Sequence, residues 1–199
     1  MILSEWVRLF RGLPEKHIFS ASDLSQLTGM RRDVLRVEMA RLVKRGVVER
    51  LARGWYANPF HPPTAEETAM VLRRPAYISM EYALSFHSIL SQTAYTVTVI
   101  TTKNPYTYSR GKWTFEYHQI SRRLFWGFEE RGAFNIASPG KALLDLIYIR
   151  AVRGRELDAD GMNSLLEDMH LDLLDKGALL AHARRFGGWA LRFVEGLKI

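Results

Sequence analysis

The chain has 199 residues, 47% of them hydrophobic and 12% aromatic, which suffices for one mid-sized domain or two small ones with their own cores and is too apolar for a disordered segment. It holds no cysteine, so a disulfide framework and thiolate metal sites are excluded. The formal net charge of +7 points to a polyanionic partner, although charge alone does not separate DNA, RNA and a membrane surface.

At the start of the chain Glu5 and Arg8 interrupt any apolar signal region, and no later stretch approaches a charge-free membrane span of about 20 residues. A cytoplasmic protein with no membrane partner is expected. Leu3, Trp6, Val7 and Phe10 recur at helical spacing and predict a first helix that stops near Gly12-Leu13-Pro14. A short extended piece, His17-Ile18-Phe19, follows. Ser20 or Ser22 then caps a brief second helix bearing Leu24 and Leu27, and Thr28-Gly29 turns into the next. The third helix runs from about Arg31 to Arg45, with Leu35, Met39 and Leu42 toward a core and Gly46 as its left-handed stop. Residues 47–51 read as a strand, Ala52-Arg53-Gly54 as a tight turn and Trp55-Tyr56-Ala57 as the returning strand of a hairpin. Trp6, Trp55 and Tyr56 read as core, since a small domain needs their bulk.

This order predicts a winged helix-turn-helix over residues 1–57 that binds double-stranded DNA, its third helix in the major groove and its hairpin on adjacent phosphates or in the minor groove. Charge concentrates in the same place. Arg31, Arg32, Arg36, Arg41, Lys44, Arg45, Arg50 and Arg53 are opposed locally only by Asp33, Glu38 and Glu49. Arg32 and Arg36, one turn apart near the helix start with Arg31 beside them, are candidates to address guanine or phosphate through forked guanidinium groups. Asp33 either accepts from a cytosine amine or biases the helix start. Arg50 and Arg53 on the wing are candidates for phosphate contacts.

Residues 58–63, Asn-Pro-Phe-His-Pro-Pro, read as a stiff linker to a second domain over 64–199. Thr64 with Glu66 and Glu67 starts one helix, and Ser79 starts another that carries Tyr82, Leu84 and His87. Residues 95–101 and 113–118 alternate in polarity and are rich in β-branched and aromatic side chains, predicting two antiparallel strands joined by a basic, tyrosine-rich loop at 103–112. A further strand is expected at 134–137. Ser138-Pro139 opens a helix with Leu143, Leu144, Leu146 and Ile147, and a helical extension follows from about residue 155. The fold class expected is α+β: a winged helix-turn-helix followed by a mixed α/β domain with a helical C-terminal part.

Signatures of chemistry fail one by one. No two histidines stand at the i, i+4 spacing of a zinc helix, and His87 and His118 read as structural. Gly140-Lys141-Ala142 lacks the upstream glycine and the following Ser or Thr of a phosphate loop, and the stretch from Asp158 to Gly161 lacks the bidentate glutamate of a calcium loop. Glu129-Glu130 reads as a solvated turn. No catalytic residue, metal or cofactor is assigned, and the chain is read as a binding protein rather than an enzyme.

Several segments carry a family likeness: Gly46-Val47-Val48-Glu49-Arg50 with Arg53-Gly54-Trp55-Tyr56, Tyr77-Ile78-Ser79 with Tyr82-Ala83-Leu84, and Tyr95-Thr96-Val97-Thr98-Val99. Residues 136–146, Ile-Ala-Ser-Pro-Gly-Lys-Ala-Leu-Leu-Asp-Leu, carry it furthest. On these the chain resembles the AbiE-type antitoxins, winged-helix transcriptional regulators of abortive-infection, type IV toxin-antitoxin operons; it departs from them at Gly140, where the family usually has glutamate. The resemblance implies a repressor that binds inverted repeats in its own promoter, as a monomer or homodimer, and opposes a nucleotidyltransferase toxin. The alternatives are a winged-helix regulator with a ligand-sensing C-terminal domain, which requires a concave apolar pocket, and, ranked last, an enzyme fused to a DNA-binding module.

Overall fold

The computed structural model describes residues 1–92, 95–153 and 159–197. These divide into two compact units, Met1–Leu72 and Arg73–Ile199.

The first unit opens with α1 (Leu3–Arg11), whose buried Trp6 and Phe10 fall one turn apart on the inner face. Their rings stack at 5.7 Å between centroids, and Phe10 meets Phe19 of β1 (Ile18–Ser20) edge-on at 5.3 Å. Of the two serines able to cap α2 (Ala21–Thr28), Ser20 does so: its Oγ accepts from the Asp23 amide at 3.0 Å while Asp23 Oδ2 accepts from the Ser20 amide at 2.9 Å. This reciprocal box satisfies two amides that the first helical turn leaves without partners. Leu35, Met39 and Leu42 of α3 (Arg32–Lys44) are buried against that aromatic cluster, together with Val48 and Tyr56. Full burial of each such side chain contributes about 1.5–3 kcal/mol.

Gly46 adopts φ +68° and ends α3 as expected, yet the strand starts later than the β-branched pair at 47–48 predicts. The Val47 amide still donates to the Leu42 carbonyl at 3.0 Å and Val48 points into the core, so β2 comprises only Arg50–Ala52. It pairs with β3 (Trp55–Ala57) across a turn whose Gly54 has φ +79°. On its other side β3 pairs antiparallel with β1, giving a three-stranded sheet in the order β1-β3-β2.

The stiff linker expected at 58–63 belongs to this first unit at its start. Asn58 is fully buried, and its Nδ2 donates to the carbonyls of Phe10, Leu13 and Lys16. Thr64 and Glu67 form a second capping box at the head of α4 (Ala65–Leu72). Val71 of this helix packs with Leu51 and Ala57. The division between units therefore falls after α4, at Leu72, rather than before it.

The second unit is built on a mixed six-stranded sheet in the order β6-β7-β5-β4-β9-β8. Its strands are β4 (Ala76–Ile78), β5 (Thr96–Thr101), β6 (Tyr106–Arg110), β7 (Trp113–Gln119), β8 (Phe128–Arg131) and β9 (Phe134–Ala137). The antiparallel pair expected from 95–101 and 113–118 is parallel, with Thr96 opposite Thr114 and Thr101 opposite Gln119. The segment 103–112 is not a plain loop: β6 occupies its centre, pairs antiparallel with β7 and frees β7 to run alongside β5. Glu129 and Glu130, expected in a turn, lie on edge strand β8, where Glu129 pairs with Arg131 at 2.6 Å.

Helix α5 (Met80–Phe86) follows Ser79, and α6 (Pro139–Ile147) follows Ser138 with proline in its first turn. Neither serine hydroxyl makes a capping bond, so the positions hold while the predicted chemistry does not. Helix α6 packs against α5 and α8 (Lys176–Phe186), continues as a π-helical stretch, Tyr148–Arg153, and is followed by α7 (Ala159–Glu167), α8 and α9 (Gly188–Gly196). The start of the expected extension near 155, and Asp158 of the discarded calcium loop, lie outside the described residues. Among the described residues no helix is long and apolar enough to cross a membrane, and no group of three or more His, Asp or Glu is placed to hold a metal.

Candidate nucleic-acid interface

Helices α2 and α3 and the β2–β3 hairpin enclose a groove of about 690 Å³. Its floor includes Leu35 and Tyr56, the inner residues of α3 and β3. Arg32, Arg36 and Lys44 reach it from α3, and Arg50 and Arg53 from the hairpin. The α3 cations fall in a run of every fourth residue, 32, 36 and 44, with Ala40 filling the missing step, so one stripe of the helix carries them. The hairpin is held in place at its turn, where the Gly54 carbonyl accepts from the Ala21 amide at 2.8 Å. Arg50 is braced along its strand, its Nε donating to the Ala52 carbonyl at 3.2 Å.

No carboxylate stands among the described residues that line this groove. Arg32, Arg36, Lys44, Arg50 and Arg53 form no ion pair with any described residue, whereas two cations of the same helix region outside the groove do: Arg31 pairs with Asp33 at 3.2 Å and Arg41 with Glu38 at 2.9 Å. Four of the six residues singled out in the sequence, Arg32, Arg36, Arg50 and Arg53, are thus brought together. Arg31 and Asp33 are not; both are exposed at the mouth of α3 and paired with each other. Lys44 was missed as a site residue, and its signal was the four-residue spacing it shares with Arg32 and Arg36. Five cations with multiple N–H donors around an apolar floor suit an extended anionic chain.

A second polar concentration lies in the other unit and is closed. Lys141, Asp145, Tyr77 and Ser79 are each 0% exposed. Asp145 Oδ1 accepts from Lys141 Nζ, and its Oδ2 accepts from Tyr77 Oη at 2.9 Å and from Ser79 Oγ at 2.8 Å. Lys141 Nζ also donates to Tyr77 Oη at 2.7 Å and lies over the rings of Tyr77, Trp126 and Phe186 at 5.1, 5.2 and 4.9 Å. Burial pushes the Lys141 ammonium below its ordinary value and the Asp145 carboxyl above its own, each opposed by the other's charge. Burial, then Asp145, pushes the Tyr77 phenol well up. With every member shut from solvent, the cluster ties β4 to α6 and offers no surface to a substrate. Its sequence signal was the i, i+4 pair Lys141 and Asp145 on an otherwise apolar helix. His87 is likewise structural, its Nε2 lying 2.8 Å from the Ala137 carbonyl.

Comparison of the chain with models of known protein families gives no match. Comparison with curated proteins gives none either.

Proposed function

We propose that this protein is a DNA-binding regulator whose first unit works as a winged helix-turn-helix, α3 entering the major groove and the β2–β3 hairpin serving as the wing. The observation that carries the reading is the groove between them, lined, among the described residues, by five cations without an ion-pair partner and by no carboxylate. A DNA backbone strand runs between the two grooves that such elements enter. Arg32, Arg36, Lys44, Arg50 and Arg53 then contact successive phosphates, and Arg36, on the first turns of α3, also has reach to a guanine edge.

The antitoxin half of the reading rests on the likeness of residues 136–146 and its companions to AbiE-type antitoxins. On it, the protein represses its own operon at inverted repeats, as a monomer or homodimer, and opposes a nucleotidyltransferase toxin encoded beside it, without catalysing a reaction itself.

The test is binding of the purified chain to DNA from upstream of its own gene, against a scrambled duplex, over a salt series. Five phosphate contacts give a slope of log affinity on log salt of about −4 to −5. Arg36→Ala costs about 1–3 kcal/mol and relaxes preference at one base pair, while Arg53→Ala weakens all duplexes and lowers the slope by about one. If neither change alters affinity, the groove is not the DNA site.

A further inference from the structure

With 3.6 residues per turn, the buried stripe Leu35, Met39 and Leu42 fixes which way each α3 side chain points. Arg32 and Arg36 fall to the side that lines the groove. Val37 falls opposite the buried stripe, at the crest of the helix, and Val34 stands one turn before it. Both are exposed, Val37 by 55% and Val34 by 48%. Asp33, the crest residue preceding Val37, is already engaged by Arg31. Over the first two turns of α3, the crest therefore presents Val37 next to the Arg31–Asp33 pair, with Val34 on one side and the groove cations Arg32 and Arg36 on the other.

We infer that Val37, with Val34 beside it, reads thymine through the 5-methyl group that thymine alone projects into the major groove. The inference rests on the DNA-binding reading above and adds what the duplex must display at the crest of α3. A valine neither donates nor accepts a hydrogen bond, so it gains nothing against the polar edges of guanine, cytosine or adenine, and there it desolvates a donor or an acceptor without replacing the water. The thymine methyl is the one apolar feature available there. The groove cations set affinity and register through phosphate, and the valines add selection for thymine to the guanine contact of Arg36.

The test replaces each thymine of the upstream duplex, one at a time, by deoxyuridine, which removes the methyl and leaves the hydrogen-bonding edge intact. For the unmodified protein one or two positions lose about fourfold in affinity, the equivalent of one buried methyl. Val37→Ala loses a similar factor on the all-thymine duplex and no longer responds to deoxyuridine at its position; Val34→Ala does the same at a neighbouring one. Selective binding of the upstream duplex that no deoxyuridine weakens overturns the inference and leaves the DNA-binding reading standing. So does a deoxyuridine effect of equal size in both valine variants and the unmodified protein. Failure to prefer the upstream duplex over a scrambled one overturns both.

Discussion

Lys141 and Asp145 stand one turn apart on α6 with neither side chain reached by solvent, and the ammonium donates directly to the carboxylate. Removing one member of such a pair leaves the other charge buried without its partner, which costs about 3–5 kcal/mol. Asp145→Asn is therefore expected to weaken the second unit severely, though the amide oxygen still accepts from Tyr77 and Ser79. Lys141→Met combined with Asp145→Asn removes both charges and restores much of the loss. Because the chain has two units and a single unfolding midpoint would blend them, the readout is hydrogen exchange of the α6 amides. Equal exchange in the single and double variants would show that the two charges are not coupled.

His182 on α8 sits beside this cluster, its ring 5.1 Å from that of Trp126. Burial, then the charge of Lys141, then that of Arg185 push its imidazole below the ordinary value of 6.5. The unfolded chain takes up this proton near pH 6.5 and the folded chain only at lower pH, so the unfolded state binds more protons in the window between. Stability contributed by neutral His182 is complete above pH 6.5 and declines as pH falls toward the folded value. Asp145, with its carboxyl raised by burial, acts with the opposite sign: the folded state gains its proton first as the solution is acidified. Subtracting the pH profile of hydrogen-exchange protection at the α8 amides in His182→Gln from that of the unmodified protein, between pH 8 and 5, isolates the histidine within its own unit. Parallel profiles would mean that the ring titrates alike in both states.

The elements of the first unit were legible because each announces itself locally. Trp6 and Phe10 keep helical period, Ser20 caps, Gly46 stops a helix and Arg53-Gly54 turns a hairpin. Errors arose where distant residues decide. Val47 and Val48 have strand propensity, but the turn at Gly46 keeps one on the helix end and the core takes the other. The asparagine, proline and charges of 103–112 resemble a loop, while the alternation of Tyr106 and Tyr108 marked β6. Nothing local says that β7 lies parallel to β5, since that depends on β6 taking the edge. The candidate site divides in the same way. Residue type pointed to Arg32, Arg36, Arg50 and Arg53, but only the folded chain separates them from Arg31 and Arg41, whose charges are answered by neighbouring carboxylates.

Asn58 supplies the same lesson with a measurable consequence. Proline around it suggested a connector, whereas its amide closes the end of α1, donating at 3.0 Å to Phe10 and Lys16 and at 3.3 Å to Leu13, while its Oδ1 accepts from the Phe60 amide at 3.0 Å. Leaving buried carbonyls without donors costs about 1–3 kcal/mol each. Asn58→Ala is expected to lower the stability of the first unit by on the order of 2–4 kcal/mol. Asn58→Asp, of nearly equal size, does no better because a carboxylate cannot donate to carbonyls. The check is exchange protection at the C-terminal turn of α1, and retention of protection in the Asp variant would show that packing rather than donation holds this corner.

Lys44 tests whether the groove acts as one unit. It lies three turns from Arg32 on the same stripe of α3 and lines the same concavity as the hairpin arginines. On the DNA-binding reading it stands too far along the helix to meet base edges, so its ammonium works as a point charge on phosphate. Lys44→Ala is therefore expected to weaken the upstream and scrambled duplexes by the same factor and to lower the salt slope by about one. Lys44→Arg keeps the charge and retains the slope. A change in selectivity without a change in slope would place Lys44 against bases, and α3 would then have to lie deeper in the groove than the stripe of Arg32 and Arg36 implies.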